Sequence, residues 1–469
     1  MTVSAETESS GFLNTNMFRY FILLLGFLCL TTVQSNMVAL NFTLICMTSD
    51  NNVTVQNGFP THEYTPIEQG YLMWSVAIGS MIGTFPFSWL YTNYGAHLVF
   101  FGAGALSAVA TCFIPFAAST SFVFFVILRF TQGFAYAADF AAIGVLCSRW
   151  ASLKQNALFL SVLTCYSALA TSFTNPMAGL FCESAFFGWP SIYYFNAIVS
   201  IVLFGAWLHF YNDFPEKSRY VSKVELEKIH RNKTKAHIEM DNYVPYKHIL
   251  TNRVVMACWL NAFADLFTAV FMHTYLPQYI RYALGYTVAE TGIISAIPTI
   301  LYIPMKVVFG YSSDKFKCMS ERAKLLLFNG IAVGVPSVLY VLVAFVETRL
   351  INVIIVIIIH IFYSAAGGAF YKCATLTSRQ YSHFVIASIQ FIKCVTLFLA
   401  PTLMTLIVDD TTDFHKWSII YLIFAVILFV SNVVFQIYAT DEPASFTELS
   451  RSRRNSESER SPPPPLVLT

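Results

Sequence analysis

Arg129, Asp139, Asp265, His273, His360 and Lys393 all fall inside long apolar runs of this 469-residue chain. A charge at membrane depth costs about 2.5–3.5 kcal/mol on insertion scales, so each needs a partner, a cavity or a task. Arg129 lies about eight residues into its run, about 12 Å along a helix axis. From there it cannot easily snorkel to the surface if it faces lipid. Gln132, Gly133 and Tyr136 stand one or two turns further on and share its face. That face is polar and small and suits a cavity wall. The planar guanidinium fork would there take a carboxylate or phosphate. The competing reading is an Arg129 paired internally that only holds the bundle together. Asp139 continues a similar face beyond Gln132, either as a working carboxylate or as a locally paired one.

Asp265 sits close to the middle of another run, with Thr268 one turn away. A buried aspartate can take up a proton or bind a cation, because desolvation favours its neutral form. It can instead pair with Lys393, which is similarly deep in its own run. His360 and His273 are candidate proton carriers, although a lone helical histidine is more often a packing residue. Lys306 and Lys372 lie about one turn from a helix end, where snorkelling accounts for them. Glu183 is expected at a helix rim.

These residues must be positioned by membrane helices. Apolar residues make up 56% of the chain and charged ones 12%, against about 25% charged in soluble domains. Only a bilayer accommodates that much apolar surface. With a span of roughly 20 residues as the ruler, helices are expected at 17–47, 69–91, 97–118, 121–148, 156–182, 189–212, 254–280, 288–311, 323–346, 351–376, 384–408 and 416–438. The reading is an all-α membrane protein of twelve transmembrane helices in two six-helix halves, 17–212 and 254–438. A polar tail precedes them over 1–16, a basic linker joins them over 213–253, and a disordered tail follows over 439–469. The first run is too long for a cleavable signal.

Lysine and arginine crowd the linker, the loops on its side and the C-terminal tail, whereas the opposite side carries only Arg281, Arg349 and Lys416. Both termini and the linker are therefore expected in the cytoplasm. The 48–68 loop lies on the other side, where the Asn52-Val53-Thr54 sequon makes Asn52 available for glycosylation. The tail ends near Ser461-Pro-Pro-Pro-Pro465, a ligand type for a polyproline-binding partner, or a plain solvated tail. The ten cysteines are scattered, with no readable disulfide framework and no metal-ligand spacing. No phosphate loop or dinucleotide fingerprint is present, so an enzyme, a pump and a bound cofactor are not expected. The net charge of +2 implies no nucleic-acid partner.

A set of ordered motifs carries a resemblance. It comprises Gly79 and Pro86, Arg129-Phe-Thr-Gln132-Gly133, Trp150-Ala151, Pro176-Met-Ala178-Gly179 and Gly188-Trp189. It continues with Asp213-Phe-Pro215-Glu216, Val244-Pro245, Leu276-Pro277, Gly292 to Pro298 and Gly310-Tyr-Ser-Ser-Asp314. Over most of the membrane core the chain resembles the anion:cation symporter family of the major facilitator type, which includes vesicular glutamate transporters, sialin and sodium–phosphate cotransporters. The resemblance implies the major facilitator fold and supports the substrate-facing reading of the face that Arg129, Gln132 and Tyr136 share. It also implies Asp314 as a conformational latch at the end of the eighth helix.

The chain departs from the pattern where that family carries other charges. Ser88, Thr92 and Asn93 replace its motif after the second helix. Met37 stands at its first-helix arginine, Met73 at a second-helix histidine, Tyr136 at its fourth-helix glutamate and Asp265 at a seventh-helix arginine. These losses argue against glutamate as cargo.

The expectation is a secondary transporter of a small organic or inorganic anion, with proton or sodium coupling through Asp265, Lys393, Asp139 or His360. It works by alternating access in the plasma membrane or in a vesicle or lysosome membrane. The alternatives are a receptor or accessory protein that keeps the fold without transport, and a facilitator of a neutral or cationic solute.

Overall fold

A computed structural model of the chain describes residues 17–47, 64–152, 159, 162–184, 186–230, 245–315 and 319–448. The N-terminal half contains α1 (Phe18–Met47), α2 (Pro66–Tyr94), α3 (Ala96–Thr120), α4 (Phe122–Tyr136, resumed as Ala138–Trp150), α5 (Tyr166–Glu183) and α6 (Pro190–Phe210). The C-terminal half contains α7 (Arg253–Gln278), α8 (Val288–Lys315), α9 (Glu321–Asn329, resumed as Val335–Phe345), α10 (Arg349–Tyr363, resumed as Phe370–Ser378), α11 (Ser382–Ile407) and α12 (Phe414–Tyr438). Ten of these helical stretches are long and apolar enough to cross a bilayer. The other two are α2, with 29 residues, and α5, with 18. Both lie on the seam between the halves, where small and polar side chains replace lipid-facing ones.

Helix ends are fixed by local chemistry. Thr65 and Glu68 form a capping box at the start of α2, with Thr65 N–H donating to the Glu68 carboxylate at 2.8 Å and Glu68 N–H to Thr65 Oγ1 at 3.3 Å. Thr287 and Glu290 repeat it at α8, the corresponding helix of the other half. The linker supplies two more caps. Both oxygens of Asp213 accept from the first amides of α3, Ala96 at 2.6 Å and His97 at 3.2 Å. Glu225, fully buried in the short helix Lys223–His230, accepts from Phe18 and Arg19 at the start of α1 at 3.2 and 3.0 Å. A carboxylate at an amino-terminal helix end satisfies free amides and complements the dipole.

Each half has its own apolar core, pinned by a polar knot. Asn36 of α1 donates to Ser107 of α3 and Ser200 of α6 at 3.0 and 3.1 Å. In the other half Asn329 of α9 donates to Asn261 of α7 and Asn432 of α12 at 3.1 and 2.9 Å. The same three helix positions are therefore tied by amides and hydroxyls in both halves, a common glue where lipid gives no hydrophobic drive.

The halves meet mainly along α5–α8 and α2–α11. At the ends remote from the linker the seam is shut. Trp74 Nε1 donates to Thr402 Oγ1 at 2.9 Å, and Ala289 N–H donates to Glu183 at 2.8 Å. Ser172 donates to Thr299 at 2.7 Å and Asn175 to Ser295 at 3.1 Å. Glu183 thus sits at a rim as expected, and bridges two halves there.

Two expectations are corrected. Cys46 and Cys182 form a disulfide with Cα atoms 6.0 Å apart, joining the remote ends of α1 and α5. Their 136-residue separation hid the pairing from any reading of spacing. The start of the 439–469 tail is packed rather than disordered. Phe446 is buried beside Tyr381, and Ala444 N–H donates to Thr377 O at 3.0 Å. Asn52, the polyproline stretch and the N-terminal tail lie outside the described residues.

Candidate functional site

Arg129 is 1% exposed, and its donors are taken by the protein. Nη1 donates to Met37 O of α1 at 2.9 Å and to Gln132 Oε1 at 2.8 Å, and Nε donates to Leu72 O of α2 at 3.4 Å. Gln132 Nε2 donates in turn to Asn36 O and to Thr111 Oγ1 of α3 at 3.1 and 2.7 Å. The pair faces into the N-terminal half, not onto an open wall. The face is polar and small because α2 packs on it: a Cβ on Gly133 would overlap the Val76 backbone. Of the alternatives weighed for Arg129, this geometry is the internal one.

Tyr136 faces elsewhere. Its hydroxyl lies 3.1 Å from that of Tyr166 at the start of α5. Lys393 of α11 reaches across the seam to both, its Nζ 5.8 Å from the Tyr136 ring centre and 5.6 Å from that of Tyr166. These distances are those of cation–π contacts. Asp139 lies below them on the resumed part of α4, wholly buried, and Lys393 is the cation whose field reaches it. Neither Asp139 oxygen has a hydrogen-bond partner. A bare buried carboxylate is costly as a charge, and a proton would remove that charge. Asp139 follows the one-residue interruption of α4 at Ala137, which keeps helical dihedrals.

Asp265 does not pair with Lys393. It is 7% exposed, and its Oδ1 has no partner. Lys306 of α8 is the cation acting on it. A hydroxyl chain runs beside it. Thr268 Oγ1 donates to the backbone carbonyls of Ala264 and Asp265, both at 3.0 Å, so it accepts from Tyr363 at 2.7 Å. The Tyr363 hydroxyl also lies 2.9 Å from that of Tyr340.

Lys306 is corrected as well. Its ammonium does not snorkel; it donates to Thr164 Oγ1 across the seam at 3.0 Å and lies 5.6 Å from the Tyr302 ring centre. Lys372 stays near its helix end, paired with Glu321 at 3.2 Å. His273 and His360 come together, with ring centres 5.8 Å apart. Each Nδ1 faces the carbonyl one turn back on its own helix, Ala269 at 2.6 Å and Val356 at 2.9 Å, and His360 Nε2 is buried without a partner. Asp314 falls in the last turn of α8, and its side chain lies outside the described residues. A cavity of about 200 Å³ between α1, α5 and α6, lined by Leu28, Thr32, Ser35, Phe173, Asn196 and Leu203, contains no ionisable group.

Tyr166, Thr164 and Lys306 were not among the expected site residues. Their one visible signal was lysine on α8 and α11, the helices that face the other half. Nothing in the spacing singled out Tyr166.

The family model of the Major Facilitator Superfamily matches residues 18–401. The chain belongs to the Major Facilitator Superfamily. Among superfamily members it is 23% identical to the probable small intestine urate exporter of Mus musculus, over 84% of this chain and 80% of that one. It is 25% identical to sialin of Homo sapiens over 70% of each. It is 22% identical to the mouse sodium-dependent phosphate transport protein 1, over 91% of this chain and 94% of that one. These relatives match the family resemblance read from the motifs, and they are transporters rather than enzymes. The superfamily fold is matched by the D-xylose-proton symporter, with a TM-score of 0.68 at 12% identity over 91% of this chain and 99% of that one. A bacterial homologue of the lysosomal transporter Spinster matches with a TM-score of 0.66 at 11% identity, covering 90% and 97%. The protein is a multi-pass membrane protein of transporter fold.

Proposed function

We propose that this protein moves a small organic or inorganic anion by alternating access, with the anion bound where the halves meet beneath the shut ends of α2, α5, α8 and α11. One observation carries the reading. Lys393, a half-buried cation of one half, lies over two tyrosines of the other. An anion at that point touches both halves and is felt by both, which is what rocking around a central site requires. The named relatives, a urate exporter, sialin and a phosphate transport protein, support an anion as cargo.

In this reading Tyr136 and Lys393 contact substrate, while Arg129 and Gln132 brace the helices behind them. Asp139 and Asp265 are the coupling carboxylates, and a proton fits their unpartnered oxygens better than sodium, which needs several oxygen ligands. His360 is a further proton acceptor, and Asp314 is the latch on the linker side. Uptake into liposomes under separately imposed proton, sodium and voltage gradients tests the whole. Anion accumulation driven by one gradient is expected; no transport of any anion would leave the non-transporting receptor reading instead.

The linker face is assigned to the cytoplasm on its lysines and arginines. The Cys46–Cys182 bond at the other face supports this, because disulfides persist in oxidising compartments. The residues divide as two halves, 17–212 and 254–438, with Asn52 glycosylated outside or in a lumen and the proline tail offered to a cytoplasmic partner. The membrane is the plasma membrane or that of a lysosome or vesicle. One observation favours a cationic solute instead: Asp265 stands among Tyr302, Tyr340 and Tyr363. Competition between anions and cations in the same uptake assay decides.

A further inference from the structure

We propose that the cavity between α1, α5 and α6 is a binding site for an uncharged lipophilic alcohol taken up from the bilayer, apart from the seam between the halves and independent of the anion reading above.

The cavity has apolar walls and a polar floor. Its volume of about 200 Å³ is of the order that holds a benzene-sized molecule. Leu28, Leu169, Phe173, Val199 and Leu203 supply the walls, and no lining residue is ionisable. An ion is excluded, since its charge would stand unpaired among apolar groups. Ser35 of α1 and Asn196 of α6 line the floor, each 4% exposed. Asn196 Nδ2 donates to the Ser35 backbone carbonyl at 3.4 Å, which sets the two residues side by side. Among the described residues neither the Ser35 hydroxyl nor the Asn196 side-chain oxygen has a hydrogen-bond partner. Thr31 and Thr32 on the same helix already direct their hydroxyl protons to the carbonyls of Phe27 and Cys29. Buried polar groups are normally paired. The donor and the acceptor left open here are the complement of one hydroxyl, which accepts from Ser35 and donates to Asn196.

Entry is from the lipid side. Helices α5 and α6 meet far less closely than either meets α1. Phe173 of α5 lines the slot between them and stays 46% exposed, while Ile198 and Val202 face outward on α6. Acyl chains offer a hydroxyl no hydrogen bond, so the open pair at the floor favours an alcohol over a hydrocarbon of the same size.

The test is photolabelling of the purified full-length protein in liposomes with a trifluoromethyl-diazirine derivative of benzyl alcohol, mapped by mass spectrometry. Benzyl alcohol and toluene are the competitors, compared at equal concentration in the membrane. Saturable labelling of the α5 and α6 segments around Phe173 and Leu203 is expected, with benzyl alcohol competing better than toluene. Ser35→Ala should weaken competition by benzyl alcohol about fivefold, the size of one uncharged hydrogen bond, and leave that by toluene unchanged. Leu203→Trp fills the cavity and should abolish the labelling; should it fail to fold, Val199→Phe serves with the same expectation. Labelling that does not saturate, or that survives the filled cavity, overturns the site. Equal competition by the two compounds, or a Ser35→Ala protein that responds like the wild type, overturns the recognition of an alcohol and leaves a void filled by lipid or water.

Discussion

Two carboxylates are buried in the bundle under different conditions. Asp139 lacks any hydrogen-bond partner and sees Lys393 of the other half; Asp265 has one bare oxygen and sees Lys306 of its own half. A proton on Asp139 would therefore change the attraction between halves, whereas one on Asp265 would act within a half. Asp139→Asn mimics the protonated side chain permanently. Proton-driven accumulation should fall at least tenfold while anion exchange across the liposome membrane continues. Equal loss of both activities would assign Asp139 a packing role. Arg129→Ala removes bonds to α1, α2 and Gln132 at once. Buried groups left unsatisfied cost about 1–3 kcal/mol each, so the expected result is a lower melting temperature and less folded protein. Loss of uptake with unchanged stability would return Arg129 to the substrate. Depth and residue type were legible for all these side chains. Which neighbour each one meets was not, because a helix face does not declare whether it points at a cavity or at another helix.

Helices α2 and α4 pack backbone to backbone. A Cβ at Gly133 would overlap Val76 and one at Gly79 would overlap Phe130, so neither glycine has room for a side chain. Overpacking a filled core costs about 1–3 kcal/mol, occasionally more. Gly133→Ala should therefore lower the melting temperature by several degrees in a detergent melt, with a normal melt meaning that α2 can move away freely. Between α1 and α5 the Cys46–Cys182 bond closes a long loop. Removing such a link typically costs about 2–4 kcal/mol. Cys182→Ser, or the wild type in reductant, should melt earlier, and equal melting with and without reductant would show that the thiols are not joined. Helix extents were largely readable, since α1 and α12 end within two residues of where apolar composition places them. The weak spans were α2 and α5, whose seam-facing polar residues dilute the apolar signal.

For the whole molecule, the shut seam makes alternating access directly testable. Gly179 of α5 and Gly292 of α8 face each other, each ideal Cβ 3.5 Å from the other residue's Cα. Cysteines at these two positions would therefore sit side by side across the seam. The double variant Gly179→Cys with Gly292→Cys should transport when reduced and stop when oxidised, with activity returning on reduction. Transport unaffected by oxidation would mean that these ends need not part.

By itself the sequence determined the solvent, the number of spans and the division into halves, because a bilayer demands long apolar helices whose length and spacing are visible in one dimension. It also marked the buried charges, since any charge in an apolar run stands out. Tertiary structure alone decided their partners. Arg129 turned inward, Lys393 met Tyr136 and Tyr166 rather than Asp265, and Lys306 left its helix end for Thr164. Those contacts join residues more than a hundred positions apart or on different helices, and they depend on helix rotation. A rotation of a few tens of degrees changes every neighbour while leaving composition and period untouched.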